Sequence, residues 1–130
     1  MDLIKSNKGQ FPDNEPAIPS KISGLKFNNI IDLLPCSISI QNSELQIVLV
    51  NQNFKKNFGD ATGKLCYTVY KGSNEVCPSC PVVKSFRDKR MHIREETVQL
   101  RNGNRCQMLI QTSPILDDYG EVAAVFEMAT

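Results

Sequence analysis

The sequence has no apolar run approaching the roughly 20 residues that cross a bilayer, and its first residues, MDLIKSNKGQFPDNEP, lack the apolar segment of a secretory signal. It also lacks an excess of charge of either sign. Its 15 Lys and Arg stand against 14 Asp and Glu, for a net charge of +1, so no broad field draws nucleic acid or anionic lipid. A cytoplasmic segment that contacts neither membrane nor nucleic acid is expected. Histidine is nearly absent, with only His92, and there is no Ser/His/Asp order, glycine-rich phosphate loop or paired-carboxylate motif. Hydrolase and nucleotide-binding roles have no support, no catalytic residue is assigned, and no enzyme activity is expected of the domain. Internal repeats and low-complexity tracts are missing as well.

What is present is an ordinary globular composition, 41% hydrophobic and 22% charged over 130 residues. A chain of this size forms one domain and buries about two thirds of its unfolded surface, so it needs no staples. Its five cysteines are an odd number. In a reducing compartment they read as free thiols or metal ligands, not as a disulfide framework.

Residues 1–24 mix Lys, Asn, Asp and Ser with Pro12, Pro16 and Pro19 and show no apolar period, which predicts a flexible or loosely docked lead-in before a domain spanning 25–130. Phe27, Ile30, Ile31 and Leu34 then fall at helical spacing up to Pro35, predicting a short helix that packs by that stripe. CSISIQ and LQIVLV, joined by Asn42-Ser43-Glu44, predict a hairpin. Asn51 is placed to cap a helix over QNFKKNF that Gly59 closes in the left-handed conformation. The middle is less regular: LCYTVY, a loop KGSNEV, then CPSCP opening a helix from Pro81 to Asp88, with proline in the first turn.

The last forty residues predict three strands. IREETVQL and RCQMLIQTS flank an Asn102-Gly103 turn, and EVAAVFEM follows Asp117-Asp118-Tyr119-Gly120. Alternation puts Cys106, Met108 and Ile110 on one face, and Val122, Ala124, Phe126 and Met128 on a face expected to line the same core. The fold class is α+β, an antiparallel sheet with its helices grouped on one side.

This order, with IIDLLPCSISI, LQIVLVNQNFKKNFG, the Asn102-Gly103 hairpin and PILDDYGEVAAVFEMAT, resembles the PAS family from about Phe27 to Thr130. The segment GKLCYTVYKGSNEVCPSCPV is similar to one found in a subset of bacterial and archaeal sensory PAS domains. The resemblance implies a five-stranded antiparallel sheet whose inner face, with the short middle helices, encloses a pocket or packed core. It also implies a sensor in a signal-transduction protein, such as the histidine kinase of a two-component system, that senses a small ligand or redox state. A covalently linked output domain and a homodimer are the implied partners. No flavin-type cysteine motif is present, and His92 precedes the third strand instead of lying on the middle helices where haem-binding relatives carry a His. Neither flavin nor haem is favoured. A cavity, if formed, falls at Phe58, Tyr67, Val69, Phe86, Val98, Met108, Ile110 and Phe126, where core filling is the competing reading.

Cys66, Cys77 and Cys80 form a C-x10-C-x2-C element with its dithiol at the start of the Pro81 helix, where unpaired N–H groups and the helix dipole lower a thiol's pKa. Three readings stay open. The bland one is a loop fixed by small thiols, with no cofactor. The second is reversible thiol oxidation. The third is zinc or an iron–sulfur cluster, which needs a fourth ligand; the position completing a second C-x2-C is Gly63, leaving Cys36, Cys106 or His92 to substitute. From another class, CPSC with Thr112-Ser113-Pro114 is similar to a glutaredoxin-type thiol-disulfide oxidoreductase using Cys77 and Cys80. Against it, a loop precedes the dithiol where that fold has a strand.

Overall fold

A computed structural model describes residues 26–130; the predicted lead-in over 1–24 lies outside them. The elements are α1 (Phe27–Ile31), β1 (Ser37–Gln41), β2 (Ile47–Val50), α2 (Gln52–Phe58), α3 (Cys66–Lys71), α4 (Pro81–Asp88), β3 (His92–Gln99), β4 (Arg105–Leu116) and β5 (Val122–Ala129). The strands form one antiparallel five-stranded sheet in the order β2-β1-β5-β4-β3. β5, last in sequence, is central because it pairs with β1 on one side and β4 on the other.

Asn51 shows how a local signal becomes a tertiary tie. Its Oδ1 accepts from Phe54 N, capping α2, and from Ile38 N of β1, each at 2.9 Å. Its Nδ2 donates to the carbonyls of Ile31 and Cys36, also at 2.9 Å. All four bonds a buried Asn amide can make are made, so its burial leaves no polar atom unmatched. α2 then ends at Gly59, whose φ of +83° is positive as expected but whose ψ of −179° is extended and not left-handed helical.

The main core lies between the inner face of the sheet and helices α2, α3 and α4. Phe54 and Phe58 pack on Tyr70 with ring centroids 5.6 and 4.8 Å apart, and Ile47, Val98, Ile110 and Val125 close the cluster from the sheet. A second, smaller cluster covers the opposite face, where Ile31, Cys36 and Ile38 meet Leu49, Phe126 and Met128.

Several expectations change here. Phe126 and Met128 sit on that opposite face, while Val125, Glu127 and Ala129 face the helices. β5 is covered on both sides, so its apolar alternation does not reveal which side carries the main core. A register shift near Leu116 returns Val122 to the main core. The stripe on α1 does not pack as a unit: Ile31 is buried, but Phe27 and Ile30 remain 50% and 48% exposed. LCYTVY, not recognised from sequence as helical, forms α3, its β-branched Thr68 and Val69 having weakened the signal. β4 continues through Pro114, beyond Thr112, its last residue paired with β3; on that open edge a missing N–H is tolerated.

Candidate functional site

Cys66 opens α3, Cys80 is the residue before α4, and Cys77 lies between, so the two helices bring all three thiols to one place. They border a cavity of about 20 Å³ shared with Tyr67, Tyr70 and the carboxyl groups of Glu96 and Glu127. That is the size of a site for one water-sized group. A groove of about 320 Å³ adjoins it, sharing Lys71, Cys77 and Glu96 and continuing past Ser73, Val76 and Arg94. The turn Cys77-Pro78-Ser79-Cys80 is held with Ser79 at φ +51°, and Arg94 donates to the Ser79 carbonyl. On the other side of α4, Ser85 hydrogen-bonds Thr112 at 2.8 Å and Thr112 donates to the Pro81 carbonyl, pinning the helix start to β4.

Glu127 is the residue that sequence reasoning missed. It stands on the central strand, two residues before its end, opposite Ser39 of β1 and Thr112 of β4, and is 5% exposed. Its Oε1 accepts from Gln41 Nε2 at 2.9 Å, and the same nitrogen reaches Ser39 Oγ, which is bonded to Tyr70 Oη at 2.8 Å. A polar chain therefore runs from the cavity wall through β1 to α3. Burial, then the nearby Glu96 carboxylate, push the Glu127 pKa up to about 8, against smaller opposing effects of Gln41 and Lys71. At neutral pH it is chiefly a neutral acid. Within EVAAVFEM the only available signal was an acidic residue in an otherwise apolar strand. Glu96 differs, because Lys71 Nζ lies 2.9 Å from its Oε1 and also donates to the Thr97 carbonyl.

The expected lowering of the thiol pKa values is reversed. Desolvation raises all three, foremost at Cys66, and Glu127 adds to the rise at each. At Cys80 the N–H groups of Val83 and Val82 at the helix start oppose the shift without overcoming it. The thiols are thus protonated and weakly nucleophilic at neutral pH.

Zinc or an iron–sulfur cluster needs four ligands converging on one point. Among the described residues no group of three or more His, Cys, Asp and Glu side chains is so arranged, and a 20 Å³ cavity cannot take a cluster. These residues do not fit such a cofactor. None of the expected substitutes supplies a fourth ligand. Cys36 lies on the opposite face of the sheet, Cys106 packs in the main core beside Val98 away from the cavity, and His92 pairs with Asp88 at 2.8 Å. All five cysteines are free thiols.

Of the residues expected to line a pocket, only Tyr67 borders the cavity. Phe58, Val98 and Ile110 are buried in the main core, and Val69, Phe86 and Met108 pack against it. Phe126 is on the other side of the sheet, which corrects its assignment. The βαβ setting of a dithiol oxidoreductase is absent among the described residues, since every strand pairing is antiparallel. None of the described helices is long and apolar enough to cross a membrane.

Comparison with curated protein sequences returns no match. Among solved structures, the chain is similar to a PAS domain from Colwellia psychrerythraea, with a TM-score of 0.68 and 11% identity over 78% of this chain and 90% of that one. It is similar to a sensory box sensor histidine kinase from Vibrio cholerae, with a TM-score of 0.59 and 16% identity over 78% and 82% of the two chains. A third is the VqmA dimer of Vibrio cholerae, described in connection with target DNA, with a TM-score of 0.62 and 12% identity over 82% and 52%. At these identities the likeness establishes the fold. The family model described as the PAS fold matches residues 31–130, and with the five-stranded sheet and its order of elements already in hand, the chain belongs to the PAS family.

Proposed function

We propose that this chain is the sensory PAS domain of a cytoplasmic signal-transduction protein, of the sensor histidine kinase kind, in which a small ligand at the cysteine-lined cavity sets the activity of a covalently attached output domain. One observation carries the reading. The cavity wall includes Glu127, on the central strand and two residues before its end, so occupancy acts directly on the element that both halves of the sheet share. A ligand biases a two-state element only through differential contact with its states. The segment from Cys66 to Cys80, with a positive-φ serine inside it, is the element proposed to move against β5.

The domain itself performs no turnover in this reading, and it works as a homodimer, as the dimeric relative VqmA does. Ligand sensing is preferred to thiol oxidation because burial holds the three thiols protonated, whereas the thiolate is the reactive species. Glutathione-dependent disulfide reduction should be negligible and unaffected by Cys77→Ser.

The test is the output of the full-length protein, or of a chimera on a histidine kinase core, with the cavity filled by Cys80→Phe. Output is expected to lock in one state, while Tyr119→Ala at an exposed turn leaves it responsive. Unchanged output from the filled variant, with its fold verified by circular dichroism, would overturn the sensing role.

A further inference from the structure

The chemistry of the cavity is lopsided. Its neighbouring cations are already engaged: Lys71 Nζ bonds Glu96 and the Thr97 carbonyl, and Arg94 donates to the Ser79 carbonyl. Its buried acid is not. Gln41 takes Glu127 Oε1, and among the described residues no donor reaches Oε2 of this carboxyl, which borders the cavity. Oε2 is not sealed off, since the one buried side-chain atom without a partner among the described residues is Gln41 Oε1, so this oxygen stays reachable by a group placed in the cavity. Tyr70 and Tyr67 also line the cavity. The cavity holds one group of water size, and the adjoining groove, lined by Val76, Cys77 and Pro78 on one part and by Ser73, Glu75 and Arg94 on another, has room for an attached organic body.

We propose that this site binds a small organic amine, its ammonium head in the cavity against Glu127 Oε2 and its apolar body in the groove. The assignment rests on the sensing reading above and names its ligand class. Protons balance by either route. A free amine takes the proton from Oε2, and an ammonium ion displaces that proton to water, and both end in the same ion pair. A carboxylate ligand meets Glu127 and Glu96 together with cations that are already occupied. A neutral alcohol can bond the protonated carboxyl but does not compensate the charge that Glu127 gains as pH rises past about 8, so its affinity has no reason to rise with pH.

The groups facing Glu127 set the pH behaviour. They are Glu96 from β3, Lys71, Cys66, Tyr67 and Tyr70 from α3, Cys77 from the turn, and Cys80 at the start of α4; its neighbours Ser39, Gln41 and Thr112 are neutral. With Glu127 titrating near 8, ammonium affinity rises about tenfold from pH 7 to pH 9, where an alkylammonium is still charged.

The probe is n-butylammonium chloride at millimolar concentration, followed by amide chemical-shift perturbation, with n-butanol and sodium butyrate as arms of equal size. Butylammonium is expected to perturb residues of the 66–80 segment and β5 saturably. Its affinity should rise about tenfold between pH 7 and pH 9 and be lost in Glu127→Gln. Absence of saturable shifts with butylammonium, or an affinity independent of pH in the unsubstituted protein, overturns the assignment whether or not the variant folds. Saturable binding of butanol or butyrate in preference to the amine also overturns it, yet leaves the sensing role standing, because that role is read from the filled-cavity output.

Discussion

Glu127 and Asn51 are both buried polar residues, and they act in opposite directions on stability. Asn51 has every hydrogen bond satisfied, so Asn51→Ala removes a cap worth about 1 kcal/mol and strands backbone groups costing about 1–3 kcal/mol. A loss of at least about 2 kcal/mol in urea unfolding is expected. Glu127 instead holds a proton when folded up to pH about 8, while its ordinary value is 4.5. Between those values the folded state binds a proton that the unfolded state has released, so stability falls as pH rises across the window and levels off above it. At about 1.4 kcal/mol per pKa unit this amounts to a few kcal/mol. Glu127→Gln should remove most of that slope, so the variant gains over the parent in thermal midpoint at pH 8 and not at pH 4.5. A parallel pH profile in the two proteins would refute the burial argument.

At the scale of elements, the segment between β2 and β3 depends on how its short helices end. α3 stops at Gly72 with φ +62°, where an added Cβ would meet Gln99 Oε1 at 2.6 Å. Gly72→Ala therefore combines left-handed strain of about 1–2 kcal/mol with a displaced Gln99 side chain, and the thermal midpoint should fall by several degrees. α4 ends at Lys89 in the same conformation, with φ +60° and its N–H bonded to the Ser85 carbonyl. Lys89→Gly relieves that strain, and a rise of up to about 1 kcal/mol is expected from the same measurement. The start of α4 was legible in CPSCP because Pro81 at the first turn is a local signal. α3 was not, since its helical state is supported by packing Cys66 and Tyr70 into the core, which outweighs the weak propensity of Thr68 and Val69.

For the whole molecule, cohesion comes from two apolar clusters on the two faces of the sheet and not from a cross-link. A chelator such as EDTA should accordingly leave the thermal midpoint unchanged, measured by differential scanning calorimetry on protein purified without added metal. A drop of more than a few degrees would mean that a metal holds the 66–80 segment. The thiols are better understood as cavity walls than as an independent reactive motif, because desolvation acts on all three together with the Glu127 carboxyl.

The sequence alone determined the order and type of most elements, because caps, an Asn-Gly turn, proline positions and strand alternation are local properties of consecutive residues. It also determined that the Cys77–Cys80 dithiol stands at the start of the Pro81 helix. Only the tertiary structure decided which side of β5 faces those helices, since a central strand covered on both faces has the same alternation for either choice. That decision placed Glu127 among the thiols and moved Phe126 away from them. It also decided the sign of the thiol shifts, because the helix start is a local effect and desolvation depends on everything packed around it.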